Sequence, residues 1–245
     1  MIFTTSRTNK SSTGRSGGIR NAAFLPLLIV LSAAAPAQTA ETAAARAVVD
    51  QTVSDVLLVL NDAELTSGER RRRIEAVALE RFDFDTMARL VLARSWRRLS
   101  AEQRTEFVTE FKNHLSANYG SRIERYKQES VDVVGERLEP RGDVTVKTRM
   151  VGGEADGIEV QYRLRGGDAS WRIIDVVIEG VSLVSSFRAQ FAEVLSRDGP
   201  EKLIDRLRDK NERDQVTPPS SDEGGPDQAP ANPTGEIAAE VAPAA

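Results

Sequence analysis

Few residues in this chain have the chemistry for catalysis or metal binding. His114 is the single histidine and cysteine is absent, so the usual ligand sets for zinc and copper cannot be assembled. His114 falls at the edge of a helical stripe formed by Phe107, Phe111 and Leu115, which favours a packed or hydrogen-bonded histidine. The glycines form neither a dinucleotide fingerprint nor a P-loop.

Two pairs of carboxylates remain as candidates for acid–base chemistry, which requires that burial separate their pKa values. Asp83 and Asp85 flank Phe84 at a predicted helix start, where an N-cap is the commoner use of aspartate. Asp175 and Glu179 flank the end of the last long strand. Neither pair is accompanied by a nucleophile or a base nearby in the sequence.

Asp175 is the member of these pairs that the pattern predicts to be buried. Its place in the strand puts it on the same face as Ile173 and Val177. A buried carboxylate needs a partner, and Arg89 and Arg188 are the candidates. We therefore favour a structural ion pair over a catalytic acid.

The run Arg70–Arg73 lies within a predicted helix that also carries Glu69, Glu75 and Glu80. Spacings of this kind are typical of a solvated helix face with mixed charges. The alternative is a docking patch for an acidic partner or a lipid headgroup.

The N-terminal residues 1–37 have the organisation of a secretory signal peptide. The first forty residues carry four basic side chains and no acid, and an apolar run covers 22–34. That run is shorter than the roughly 20 apolar residues that span a bilayer. Ala35-Pro-Ala37 is a small-x-small cleavage pattern, which predicts Gln38 as the mature N-terminus.

The net charge and the absence of cysteine restrict which compartment and which partners fit the chain. Removal of residues 1–37 takes the formal net charge from −4 to about −8. A mature chain this acidic is a poor nucleic-acid binder and is repelled by anionic membrane surfaces. An exported chain without cysteine fits a bacterial periplasm.

Hydrophobic periodicity predicts helices first, strands second and helices last. Helices are predicted over residues 42–61, 66–80, 84–96, 100–126, 181–197 and 200–211. Strands are predicted over 131–138, 144–150, 158–164 and 171–178, joined by short turns. This order indicates an α+β domain over residues 42–212 with an antiparallel meander of about four strands. Residues 213–245 are rich in proline, alanine and acids and are predicted to be a disordered tail.

The segment beginning at Trp171 is the most informative in the chain. Its β-branched residues occupy both faces of the strand from Ile173 to Ile178, a pattern typical of a strand covered on two sides. The protein's own helices can cover one side. A hydrophobic guest on the other side would make the protein a carrier.

Ordered blocks across residues 45–212 resemble the MlaC family, also called the toluene-tolerance auxiliary family. In the first half they are Phe82-Asp-Phe-Asp85, Met87, Arg89-Leu-Val-Leu-Ala-Arg94, Trp96-Arg97, Glu102-Gln103-Arg104, and Phe107 with Phe111. In the second half they are Tyr162-Arg-Leu, Trp171-Arg-Ile-Ile-Asp175-Val-Val, Ile178-Glu-Gly-Val-Ser-Leu-Val184, Phe187-Arg188 and Gln190-Phe191. The chain departs from the family pattern at Phe187, where tyrosine is expected, and in its acidic tail.

The resemblance implies a periplasmic phospholipid-binding protein without a catalytic activity or a cofactor. Such proteins shuttle lipid between an outer-membrane lipoprotein complex and an inner-membrane ABC transporter with a substrate-capturing domain, and they maintain outer-membrane asymmetry. The implied fold is a helical lobe on an antiparallel or mixed sheet, like nuclear-transport-factor folds, enclosing an apolar cavity. The acyl chains lie inside and the headgroup outside.

We expect this cavity to be lined by apolar side chains from both halves of the chain. The candidates are Val91, Leu92, Phe107, Phe111, Tyr119, Met150, Tyr162, Trp171, Ile174, Val176, Ile178, Val181 and Leu183. Ordinary core packing is the competing interpretation for each of them.

Three other functions remain open at this stage. A related carrier would hold a hopanoid or another lipid in place of a phospholipid. A small α+β enzyme would use Asp175 or Glu179 as its base. A structural envelope protein would have a filled core and bind no lipid.

Overall fold

The computed structural model describes residues 35–123, 130–166 and 170–216. By its contacts the chain divides into Met1–Ala33 and Ala34–Ala245, and the described residues all belong to the second unit. Most of the predicted signal peptide and of the predicted tail therefore lies outside the described residues. At the two boundaries, the first helix begins at Ala35, inside the predicted signal peptide, and the last helix continues to Val216, past residue 213.

The order of elements confirms the predicted α+β arrangement. The helices are α1 (Ala35–Asn61), α2 (Ser67–Arg81), α3 (Phe84–Leu92), α4 (Ala101–Ile123), α5 (Leu183–Arg197) and α6 (Gly199–Val216). The strands are β1 (Ser130–Leu138), β2 (Val144–Val151), β3 (Glu159–Gly166), β4 (Trp171–Ile178) and β5 (Val181–Ser182). A 3₁₀ turn, Ala93–Arg98, joins α3 to α4. None of the described helices has the length and hydropathy needed to cross a membrane.

Local side-chain chemistry starts the helices where the sequence indicates. Thr66 and Glu69 form a reciprocal capping box at the start of α2. Ser100 and Gln103 do the same before α4, with hydrogen bonds of 3.2 and 2.9 Å. The predicted helix over 84–96 is wrong at its end, because Ala93 adopts a φ of 48° and the chain tightens into the 3₁₀ turn.

The sheet is a meander in which each strand pairs antiparallel with its neighbour in sequence, in the order β1-β2-β3-β4-β5. The fifth strand was not predicted. Glu179 and Gly180, with φ angles of 48° and 80°, make a two-residue hairpin turn that returns the chain along β4. The helix predicted from residue 181 therefore begins at Leu183, with Ser182 as its N-cap. Val181 lies on the hairpin and is 44% exposed.

A β-bulge in β4 changes which side chains share a face. Ile173 pairs with Leu164 and Asp175 pairs with Arg163, so Ile174 is an extra residue between them. Asp175 consequently faces away from Ile173, so that part of the predicted shared face is wrong, whereas Asp175 and Val177 do share a face. A second bulge lies in β1 between Val133 and Gly135. Strict alternation in the sequence cannot reveal either shift.

The core consists of two apolar clusters, one on each side of β4. The helical cluster joins α3, α4, α5 and α6 around four rings, namely Phe107, Phe111, Phe187 and Phe191, with centroids 5.3–6.4 Å apart. The sheet-face cluster packs Ala45 and Val49 of α1 against β2, β3 and β4. Phe82 contacts both clusters, and its backbone bridges to Ile173 at the edge of β4.

Asp175 is buried, as predicted, but neither predicted arginine is its partner. It accepts hydrogen bonds from the Ser182 hydroxyl at 2.7 Å and the Val184 N–H at 3.1 Å. The Arg163 guanidinium lies 3.6 Å from the same carboxylate. Arg188 donates instead to the Leu90 carbonyl. Asp175 thus ties β4 to β5 and to the first turn of α5.

We expect Asp175→Ala to lower the free energy of unfolding by about 2–4 kcal/mol, because it leaves a buried N–H and hydroxyl without an acceptor. Urea denaturation followed by circular dichroism measures the change. Asp205→Ala is the matched control, since Asp205 also pairs with an arginine but its side chain is 51% exposed. Equal effects of the two substitutions would contradict the role given to Asp175.

Candidate functional site

One face of the sheet presents a continuous apolar surface to α1. The register places Val146 of β2, Tyr162 of β3 and Val176 of β4 side by side. One step further along the strands, the same alignment joins Val160 to Ile178. Because every second residue of each strand points to this face, the three long central strands form a smooth wall that a covering element must bury.

A groove of about 370 Å³ lies beside the second half of α1, at the outer edge of this wall. The groove lies between α1 and the start of β1, and is lined by Asp50, Val53, Ser54, Leu57, Leu58, Asn61, Ser130, Val131 and Val133. Its volume falls within the range of about 300–1,000 Å³ that is usual for small-molecule sites.

The groove is continuous with the sheet-face cluster. Val53 and Val133 line the groove and also pack against that cluster. Leu58 is 69% exposed at the rim. An apolar guest in the groove would therefore lie against Val53 and Val133, the two side chains that join the groove to the cluster.

The rim of the groove carries polar groups. Asp50 pairs with Arg46 at 3.5 Å, and the Asn61 amide donates to the Leu57 carbonyl at 2.9 Å. An apolar interior with a polar rim is the arrangement expected for an amphipathic ligand.

Tyr162 places a phenol within the apolar wall. Burial raises the pKa of Tyr162 to about 12, so the hydroxyl stays protonated at neutral pH and remains a hydrogen-bond donor.

The residues predicted to line one cavity are divided by the structure between the two clusters. Those in the helical cluster are Val91, Leu92, Phe107, Phe111 and Tyr119. Those in the sheet-face cluster are Tyr162, Trp171, Val176, Ile178 and Leu183. The structure brings the second set together under α1, whereas the first set lies among the helices.

Three further predicted lining residues belong to neither cluster. Ile174 is the fully buried bulge residue, and Val181 is exposed on the β4–β5 hairpin. Met150 is half-buried and pairs with Val131, which lines the groove. Ligand contact by all thirteen candidates stays a prediction.

Sequence reasoning missed the α1 and β1 side of the groove. Its signal was the run Val56-Leu-Leu-Val-Leu60 in α1, because five consecutive apolar residues surround a helix and a single core-facing stripe cannot bury them all. The exposed Leu58 is the member of that run that projects from the packed face.

Three of the four candidate acids, Asp83, Asp175 and Glu179, accept structural hydrogen bonds. Asp83 caps α3, accepting from the Thr86 N–H at 2.8 Å and the Thr86 hydroxyl at 2.6 Å, as predicted. Asp85 is exposed in the first turn of that helix and is not the cap. Glu179 accepts from the Glu159 N–H at 2.6 Å.

The four arginines Arg70–Arg73 of α2 differ in solvent exposure, so they do not all lie on one solvated face. Arg70 is buried and donates to the carbonyls of Asp62 and Leu65, so it fastens the loop between α1 and α2. Arg73 reaches Asp62 at 3.5 Å. Among the described residues, no three histidine, cysteine, aspartate or glutamate side chains come together as a metal site.

His114 is packed and hydrogen-bonded, as the sequence predicts. Its ring is fully buried, meets Phe187 edge-on at 5.7 Å, and lies 3.2–3.3 Å from the Asn118 amide. Burial, helped by the charge of Lys210 and opposed by a hydrogen bond with Asn211, lowers the pKa of His114 from 6.5 to about 4. The folded protein therefore holds this side chain neutral.

The depressed pKa of His114 makes stability depend on pH. Below pH 6.5 the unfolded chain binds a proton at His114, whereas the native state binds it only near pH 4. This difference in proton binding lowers the free energy of unfolding by about 2–3 kcal/mol at pH 4.5. We expect His114→Gln to lose less stability than the wild type between pH 7.5 and 4.5, measured by urea denaturation. Parallel losses in the two proteins would refute this assignment.

The fold and its groove define a class of α+β protein in which a helix lies over the apolar face of an antiparallel sheet. Residues 50–209 match the family model described as MlaC protein, and the chain belongs to the MlaC family. The resemblance read from the sequence is confirmed.

Proteins similar to this chain include two curated relatives and a solved structure. Toluene tolerance protein ttg2D of Pseudomonas putida is 26% identical over 188 residues, which are 73% of this chain and 86% of the relative. The intermembrane phospholipid transport system binding protein MlaC of Haemophilus influenzae is 23% identical over 124 residues, 48% of this chain and 57% of the relative.

The solved structure is a phospholipid-binding protein from Ralstonia solanacearum in complex with a phospholipid. It superposes with a TM-score of 0.63 at 23% identity, and the match covers 69% of this chain and 97% of the other. At this level of identity the likeness concerns the fold.

Proposed function

We propose that this protein is a phospholipid carrier that holds acyl chains between α1 and the apolar face of the sheet. The observation that carries the proposal is the groove beside α1, which continues into the sheet-face cluster. The headgroup then lies at the polar rim near Asp50 and Asn61. The relatives support this function, since one is a phospholipid transport binding protein and a neighbour in fold is a phospholipid complex.

The free energy of transferring acyl chains into water explains why a phospholipid needs a carrier with an apolar site. Transfer of an acyl chain from water to an apolar site is worth about 0.8 kcal/mol per methylene group, so a free lipid cannot cross an aqueous space at a useful concentration. A guest held mainly by apolar area is selected by shape, and we expect weak headgroup selectivity. Release then needs a partner that binds a more open state of the carrier.

The family and the predicted signal peptide support a cellular role in lipid transport. We propose that the mature protein works in the periplasm, where it moves phospholipid between an outer-membrane lipoprotein complex and an inner-membrane ABC transporter with a substrate-capturing domain. This traffic would maintain outer-membrane asymmetry. The structural engagement of Asp83, Asp175 and Glu179 supports a binding function over an enzymatic one.

Native mass spectrometry of the protein purified from cells without detergent tests the proposal. We expect a phospholipid at close to one molecule per chain. A bound hopanoid would redirect the function to another lipid. The bare polypeptide mass, unchanged after incubation with phosphatidylethanolamine vesicles, would overturn the carrier function.

A substitution in the groove locates the ligand. Leu57 is half-buried in the groove wall, and Leu57→Glu sets a carboxylate beside the acyl chains, where a charge is costly. We expect bound lipid to fall about tenfold or more. Leu79→Glu is the matched control, because Leu79 is a helical leucine that is 51% exposed and lies outside the groove. Equal lipid content in both variants would place the ligand elsewhere.

A further inference from the structure

Five arginines lie on and beside the 3₁₀ turn between α3 and α4, which also carries Trp96. This arginine patch consists of Arg89, Arg94, Arg97, Arg98 and Arg104. The guanidinium carbons of Arg89 and Arg104 lie 5.9 and 5.5 Å from the centre of the Trp96 ring. The side chains of Arg94, Arg97 and Arg98 are exposed.

The patch lacks the carboxylates that accompany most arginines elsewhere in the protein. Within residues 35–123, 130–166 and 170–216, none of its five guanidinium groups forms an ion pair. By contrast, Arg165 binds Asp143 through two hydrogen bonds of 2.7 and 2.8 Å, and Arg206 reaches Asp198 at 2.9 Å. These five positive charges thus have no carboxylate partner within 4.0 Å among the described residues.

The backbone holds the patch in a defined shape. Ala93 adopts a φ of 48° and a ψ of −115°, a conformation that is strained for a residue with a side chain and that often marks functional sites. The Arg104 Nε–H donates to the Trp96 carbonyl at 3.2 Å. The Arg104 guanidinium is therefore held over Trp96, whereas Arg94, Arg97 and Arg98 are exposed on the turn that Ala93 begins.

We propose that the arginine patch is a docking surface for a partner protein that presents carboxylates. Arginine and tryptophan are enriched at the centres of protein interfaces, and a guanidinium binds a carboxylate through two parallel hydrogen bonds. Because the whole chain has a net charge of −4, an acidic partner is repelled by most of the surface and attracted to this local positive patch, which orients the encounter.

An anionic membrane fits the patch less well. The large apolar side chains that are exposed in the described residues are Leu58, Leu79, Val134, Val151 and Val181. None of them belongs to the patch, and Trp96 is flanked by guanidinium groups. A surface that enters a bilayer interface needs apolar side chains free to insert. Docking at the patch does not depend on what the groove holds, so the two proposals can fail separately.

Photocrosslinking in the source cells tests the docking surface. A benzophenone amino acid replaces Arg94 in the full-length chain, and the same amino acid at exposed Arg72 of α2 is the positional control. Crosslinking is compared with and without Arg97→Glu plus Arg98→Glu. The control pair, Arg72→Glu plus Arg141→Glu, changes the net charge equally at exposed sites outside the patch. Thermal unfolding verifies that each variant is folded.

We expect a specific protein crosslink at position 94 that falls at least about tenfold in the patch variant but not in the control pair. Changing acidic residues of the crosslinked partner to lysine should restore it with the patch variant. No crosslink at 94, or a crosslink insensitive to the patch charges, would overturn the proposal. Patch-dependent sedimentation with phosphatidylglycerol vesicles, without a rescuable protein crosslink, would assign the surface to a membrane.

Discussion

The rest of the structure depends on the burial of β4 on both of its faces. A strand in this position needs an apolar partner layer on each side. The helices α3 and α5 pack on one side, where Asp175 fixes the start of α5 through hydrogen bonds to Ser182 and Val184. The other side needs α1, which comes from the opposite end of the fold in sequence. The groove lies where the second half of α1 meets the start of β1, at the edge of the sheet.

Much of this fold follows from local patterns in the sequence. The capping boxes at Thr66 and Ser100 and the alternating strands depend on near neighbours along the chain, and they are found where expected. The exceptions are places where one residue breaks the periodicity. Ile174 is an extra residue in β4, and Glu179 with Gly180 forms a hairpin within a stretch that continues the apolar pattern. A bulge and a tight turn are decided by pairing across the sheet, which the sequence of one strand does not encode.

The site was less accessible to sequence reasoning than the fold. The sequence pattern predicts that apolar residues such as Phe107 and Val176 are buried. It does not distinguish a side chain that lines a ligand site from one that packs in the core. The structure separates them by cluster. The groove itself arises from the distance between α1 and β1, which are some seventy residues apart, and no spacing rule relates them. His114 was interpreted correctly because its apolar neighbours on α4 already predict burial, although Phe187, Lys210 and Asn211 come from other helices.

The bulge in β1 has a consequence for the solubility of the protein. β1 is an outer strand of the sheet, and its unpaired backbone groups could template edge-to-edge association with another copy. The extra residue at Val134 twists this edge out of regular extension, while Asp132, Glu136 and Arg137 place charges along it. Irregular, charged edges resist strand-by-strand aggregation. The apolar groove lies next to β1, so an edge that resists strand pairing also protects the region around the groove from aggregation.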